Sequence, residues 1–210
     1  MGTDRALQEV DPLSLPVRLG VGPWRVKAWR GRGAYGTLYC VEYSGREEEG
    51  EFALKLAMHP GDERFGREAE LLRRISSPHV PRFRAQGMWQ HPSGTFPYVV
   101  MEWVEGGALY EWAARRNPSS RQVLRLLAQV ARALEATHSA GGVHRDVKGA
   151  NVLVRPGDGR AFLTGESGSE VVRGPEGDGV LFIWGEEHRL RWRSPGAARL
   201  SLRCAPPDDV

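Results

Sequence analysis

The stretch that most constrains the fold is His144-Arg145-Asp146-Val147-Lys148-Gly149-Ala150-Asn151, which runs straight into the apolar Val152-Leu153-Val154. A charged loop of this kind must be held by buried elements at both ends. Upstream, Ser119 and Gln122 have the spacing of a capping box. Val123, Leu127, Val130, Ala131, Leu134 and His138 then recur at helical spacing, and Gly141-Gly142 stops the helix. Downstream, the apolar run reads as a short strand. Within the loop, Asp146, Lys148 and Asn151 sit at offsets 0, +2 and +5. Phosphoryl transfer to a hydroxyl needs such a set. A carboxylate orients the hydroxyl proton, an ammonium steadies the moving group, and an amide oxygen helps hold a metal.

The rest of the chain supplies further parts in order. Residues 1–23 carry Pro12, Pro16 and Pro23 without a sustained period and read as a loose leader. A strand is expected from Trp24 to Trp29, then a turn on Gly31, Gly33 and Gly36, then a strand rich in β-branched and aromatic residues from Thr37 to Tyr43. A G-x-G-x-x-G turn that enters a strand is not the dinucleotide-binding arrangement, which must enter a helix. Ser44 to Gly50 is a polar turn. Glu51 to Ala57 alternates as a strand with Lys55 inside it. A lone ammonium there is costly unless paired, so a carboxylate is expected nearby. The helix expected over Asp62–Ile75, with Phe65, Ala69, Leu72 and Ile75 on one stripe, offers Glu68 and Glu70. Ser77-Pro78-His79-Val80-Pro81 ends it, with His79 expected to pack in the turn. Two strands over 82–100 around a loop from Gln90 to Pro97 follow, then a helix from Ala108 to Arg116. Two short strands flank Pro156-Gly157-Asp158-Gly159, and from Gly165 to Gly179 no period is visible.

Composition narrows the function classes. The chain has 210 residues, 40% of them hydrophobic and 26% charged, which is globular. A net charge of +3 is too small to argue for nucleic acid. Cys40 and Cys204 form no disulfide framework and no zinc spacing, so a reducing compartment is expected. The start shows no apolar signal segment, and no apolar run reaches the roughly 18–20 residues of a membrane span. The chain is read as cytoplasmic, with no membrane segment.

Taken together, these motifs resemble the protein kinase family. His144 to Asn151 is similar to its catalytic loop His-Arg-Asp-x-x-x-x-Asn, and a Lys two places after the Asp is typical of the Ser/Thr branch. The strand–glycine turn–strand, the Ala53-Leu54-Lys55 strand and the Tyr98 to Gly107 connection match the family in the same order. Among many arginines only Lys27, Lys55 and Lys148 are lysines, and two of them stand where the resemblance calls for a point charge. A bacterial, eukaryotic-like Ser/Thr kinase is implied. Its fold would be α+β with two lobes, a small antiparallel sheet lobe at 24–105 and an incomplete, mostly helical lobe at 106–210. Residues 165–210 would be a degenerate activation segment and a truncated end.

The resemblance also implies roles. ATP and Mg²⁺ are the expected cofactors, and a protein with a Ser/Thr hydroxyl is the expected substrate. Gly31, Gly33 and Gly36 would lie over the phosphates, and Lys55 would contact them while held by Glu68. Leu38 would lie above the adenine, with Ala53, Met101, Glu102, Val104 and Leu153 completing the nucleotide site. Asp146 would orient the hydroxyl, Lys148 would stabilise the transferring group, and Asn151 would bind Mg²⁺.

Two departures qualify this. Where the family places Asp-Phe-Gly after the second short strand, the chain has Gly165-Glu166-Ser167, and Gly196 replaces the Glu of Ala-Pro-Glu. Impaired chemistry is therefore expected. A non-catalytic nucleotide-binding scaffold is the main alternative. A small-molecule phosphotransferase is another, opposed by Arg145 and Lys148. The abrupt loss of pattern at Gly165 also fits a shifted reading frame.

Overall fold

The computed structural model of the chain describes residues 11, 14–33, 36–46, 49–165, 170–171, 177–183 and 186–192. Strands β1 (Gly20–Val21), β2 (Trp24–Arg32), β3 (Gly36–Tyr43), β4 (Glu51–Ala57), β5 (Phe83–His91) and β6 (Gly94–Glu102) form one antiparallel sheet, ordered β1-β2-β3-β4-β6-β5. The loose leader expected over 1–23 is corrected for its last third. Leu15 and Val21 are buried, β1 pairs with β2, and the Leu15 N–H donates to the Tyr39 hydroxyl at 3.1 Å. Prolines break local periodicity without preventing isolated apolar residues from covering a sheet face.

The period-2 alternation of β4 sorts its side chains. Leu54 and Leu56 join Tyr39, Val41, Tyr98 and Val100 in the core on one face. Ala53, Lys55 and Ala57 take the other. Helix α1 (Arg64–Arg74) covers that second face, with Phe65, Ala69 and Leu72 in contact with Ala57 and Val99. Arg73 and Arg74 in its last turn suit the negative end of the helix dipole. The loop expected from Gln90 to Pro97 is instead a tight hairpin turning at Pro92-Ser93, with Trp89 opposite Phe96 and Met88 opposite Pro97. Tilted aromatic pairing of Trp89 with Phe96 across the strands outweighs the turn-forming residues.

The second lobe begins with β7 (Gly107–Ala108) and α2 (Leu109–Arg116). Helix α3 (Ser120–Ser139) starts from Ser119, whose hydroxyl and the Gln122 side chain complete the expected capping box. It leads to β8 (Gly142–Val143) and then to β9 (Val152–Val154) and β10 (Ala161–Leu163), which form a hairpin beside β7. Further on, β11 (Glu170–Val171) pairs with β8 inside the stretch from Gly165 to Gly179 where no period was visible, and β12 (Gly177–Ile183) pairs with β13 (Glu186–Trp192). The apolar stripe expected on α3 is rotated. Leu126, Val130, Ala133 and Thr137 are buried, whereas Val123 and Leu127 are exposed. Thr137 can join the buried face because its hydroxyl donates to the Ala133 carbonyl of its own helix at 3.0 Å.

One apolar cluster runs through both lobes, from Phe65, Leu72 and Val80 to Leu126, Val152 and Leu163. His79, expected only to pack in its turn, ties this joint together. Its Nδ1–H donates to the Ala161 carbonyl at 3.0 Å, and its own carbonyl accepts from Leu163 N–H at 2.8 Å. On the other side of β10, Gln129 of α3 accepts from Ala161 N–H at 2.9 Å. The hairpin beside the charged loop is thus pinned both to the turn after α1 and to α3. Among the described residues no helix is long and apolar enough to cross a membrane.

Candidate active site

The carboxylate demanded by Lys55 is Glu68. Lys55 Nζ lies 2.9 Å from Glu68 Oε1 and 2.8 Å from Oε2, with side chains only 13% and 5% exposed. Strand β4 points Lys55 at α1, and Glu68 lies on the buried stripe of that helix between Phe65 and Leu72. Glu70, the other carboxylate considered, is exposed. The Phe65 ring, 5.3 Å from Lys55 Nζ, supplies a further favourable surface for the cation.

Register assembles the rest of this face. Leu38 pairs with Lys55, and Lys55 with Val99. One step along, Cys40 pairs with Ala53, and Ala53 with Met101. Residues directly opposite share a face, so Leu38, Ala53, Lys55 and Met101 look the same way. The chain then crosses between lobes through Glu102, Trp103 and Val104. The Glu102 N–H is engaged by the Arg82 carbonyl at 2.8 Å, and Val104 is buried. In β9, Val152 and Val154 enter the core while Leu153 points the other way, half-buried.

The glycines of the turn differ in role. At Gly36 a Cβ would lie 2.8 Å from the Leu56 carbonyl, so the neighbouring strand itself requires glycine there. At Gly31 a Cβ would meet nothing within 4 Å, and at Gly33 only the Gly36 carbonyl at 3.8 Å. Gly36 is the one against Lys55, whose Cγ would lie 3.2 Å from a Cβ there, and Gly31 is joined to Lys55 in register through Leu38.

The charged loop is compact. Arg145 takes φ 59°, which turns the chain so that Asp146 N–H reaches the His144 carbonyl at 2.8 Å. Asn151 Nδ2 donates to both the Asp146 carbonyl and Oδ2, each at 2.8 Å, and Lys148 Nζ lies 2.8 Å from Oδ2. Burial alone would push the Asp146 carboxyl up, but these hydrogen bonds hold it below its ordinary value. His144 sits beneath, fully buried. Its Nε2–H donates to the Thr164 carbonyl at 2.9 Å and its Nδ1 accepts from Asp146 N–H at 3.3 Å. Both bonds fit the neutral ring, and burial depresses its pKa, with the Thr164 contact opposing.

The protein kinase domain family matches residues 24–163, well over half of the chain, and the match runs from β2 through the Lys55–Glu68 pair and the charged loop to β10. The chain belongs to the protein kinase family. It is 34% identical over 92 residues to the serine/threonine-protein kinase PknB of Mycolicibacterium smegmatis, covering 43% of this chain and 15% of that protein. To PknH of Mycobacterium tuberculosis it is 32% identical over 142 residues, covering 65% and 22%. Among solved structures, the M. tuberculosis PknI kinase domain superposes with a TM-score of 0.59 at 28% identity, covering 78% of this chain and 65% of that one. The chain therefore spans less than a quarter of the curated kinases it matches.

Protein kinases as a family use ATP and Mg²⁺. The nucleotide fits the residues present: Gly31, Leu38 and Lys55 are register neighbours on adjacent strands, nothing lies within 4 Å of a Cβ at Gly31, and Leu38, Ala53, Lys55 and Met101 share a face. A protein-held Mg²⁺ fits poorly. That ion is usually fixed by one or two carboxylates together with phosphates. Gly165 offers none, and a Cβ there would lie 2.9 Å from the Asn151 amide, at φ 86°. The preceding residue is also tied to the loop. Thr164 donates to the Asn151 carbonyl through its N–H at 2.8 Å and its Oγ1 at 3.1 Å. Neither side chain is a carboxylate. Among the described residues no group of three or more His, Cys, Asp and Glu is arranged to hold a metal. Glu166, Ser167, Gly196, Arg199, Arg203 and Cys204 lie outside the described residues.

Sequence reasoning had no role for Thr164 and none for His144 beyond its place in the motif. The hairpin register, which carries Thr164 to Asn151, is the signal that finds them.

Proposed function

We propose that this chain is an ATP-dependent protein kinase of the Ser/Thr type whose transfer step is slow. The observation that carries the reading is the joint presence of the Lys55–Glu68 pair and the Asp146–Lys148–Asn151 cluster. Bound ATP supplies the phosphoryl group. Gly31, Gly33 and Gly36 border its phosphates, and Lys55, aimed by Glu68, neutralises them. Leu38, Ala53, Met101 and Leu153 enclose the base, with the backbone of Glu102 to Val104 along its edge.

Asp146 receives the substrate hydroxyl as a hydrogen-bond acceptor. Held anionic by Lys148 and Asn151, it is a weak base that orients the proton. Lys148 then balances charge on the transferring group. Such catalysis is mostly positioning and electrostatics. Losing the carboxylate at Thr164-Gly165 therefore removes rate, while the nucleotide-facing parts remain built. That same loss favours a second reading, a nucleotide-binding module without turnover.

Single-turnover transfer from labelled ATP to a Ser/Thr peptide mixture separates them. Transfer that disappears in Asp146→Ala supports the kinase. Nucleotide binding that Lys55→Ala abolishes, without transfer, selects the module. Absence of both overturns the two readings together.

A further inference from the structure

Strand β2 reaches the glycine turn through Trp29-Arg30-Gly31. Its pairing with β3 skips one residue here, since Trp29 faces Tyr39 and Gly31 faces Leu38. Arg30 is therefore the extra residue of a bulge, and bulges re-aim the side chains they carry. The Arg30 guanidinium carbon lies 5.1 Å from the centroid of the Trp103 ring, on the segment joining the lobes. That is cation–π distance. Arg30 also acts on the neighbouring strands. Burial and Glu51 raise the Cys40 thiol while Arg30 opposes them, and the Lys27 hydrogen bond lowers Glu51 with a smaller contribution from Arg30. The guanidinium thus occupies the edge between the sheet and Trp103. Beyond it β2 and β3 pair as far as Arg32 with Thr37, and Gly33 N–H donates to the Gly36 carbonyl at 2.8 Å.

We propose that Arg30 and Trp103 form a clasp that holds the glycine turn against the lobe-connecting segment and so slows release of a bound nucleotide. The proposal rests on the nucleotide-binding reading above. The two are positioning residues. For a nucleotide to leave, the turn must lift from the connecting segment, and the stack must part with it. A planar guanidinium stacks on an indole where an ammonium does not, so Arg30→Lys is not conservative here.

The test follows release and affinity of a fluorescent ATP analogue in the parent, Arg30→Ala, Trp103→Ala and the double variant, with Arg30→Lys and Trp103→Phe as conservative partners. An exposed cation–π contact predicts release faster by about two- to five-fold in each single variant. The double variant should be no faster than the singles, because both remove one interaction. Trp103→Phe should retain most of the effect and Arg30→Lys little of it. Multiplying effects, or singles that release at the parent rate, overturn the clasp. If Trp103→Ala does not fold, the comparison of Arg30→Ala with Arg30→Lys decides alone. A folded parent that binds no analogue refutes the nucleotide site and the clasp with it. A parent whose binding is lost in Lys55→Ala but untouched in Arg30→Ala refutes the clasp only.

Discussion

Two lysine–carboxylate pairs, one in each lobe, share a contact distance of 2.8 Å and almost nothing else. Lys55 and Glu68 are 13% and 5% exposed, enclosed by Phe65 and the sheet. Lys148 and Asp146 are 52% and 50% exposed, on a loop held from below by His144. Taking charges out of water costs several kcal/mol per ion, repaid only while both partners stay. The first pair is therefore a structural commitment, joining β4 to α1. The second is solvated and cheap, and its arrangement has meaning for a ligand more than for folding. Distance alone does not tell an ion pair's role.

The largest effect expected from this contrast is on Glu68→Ala. Leaving Lys55 buried and unpaired should cost about 3–5 kcal/mol in urea unfolding. A loss no greater than that of Asp146→Asn would break the comparison. Next comes Gly165→Asp, which forces a non-glycine residue to φ 86° against Asn151 and should cost about 1–2 kcal/mol. Thr164→Asp, one residue earlier, meets no positive φ and gives up only the hydroxyl bond to the Asn151 carbonyl, so it should cost less than Gly165→Asp and should raise Mg²⁺-dependent transfer. The opposite ranking would move the missing carboxylate back to Gly165.

A smaller effect is acid sensitivity. His144 is neutral in the fold with its pKa below the ordinary 6.5, so the unfolded chain binds a proton that the folded chain refuses. Its stabilising contribution is complete above pH 6.5 and is lost as pH falls toward the depressed folded value. Half-buried His138 acts in the same sense. His144→Gln should flatten part of the decline in thermal midpoint below neutrality. An unchanged slope would remove His144 from the account. The smallest stability change belongs to Asp146→Asn, within about 1 kcal/mol as for exposed pairs, although transfer should vanish.

Much of this site was legible in the sequence because its physics is local or forced. A lysine inside an apolar strand had to find a carboxylate, and Glu68 was there. The capping box at Ser119 and Gln122 marked the start of α3, and the spacing of Asp146, Lys148 and Asn151 placed all three on one short loop. The parts that were not legible depend on tertiary choice. Leu124, Leu126 and Leu127 let α3 present more than one apolar face, and packing against β10 selected Leu126. Pro92 and Pro97 suggested a long loop where aromatic pairing built a hairpin. Leu15 was hidden among prolines. Thr164 came to Asn151 through a register that no local pattern encodes, and Arg30 met Trp103 because of a single bulged residue.

Among the described residues, Thr164 and Gly165 bring no carboxylate beside Asn151 to hold a metal in the proposed nucleotide site. The most direct test is nucleotide affinity, measured by titration calorimetry on the parent and Lys55→Ala, in Mg²⁺ and in EDTA. Binding should be abolished by Lys55→Ala and should survive removal of the metal with little change. Binding that needs Mg²⁺, or that ignores Lys55, would contradict this.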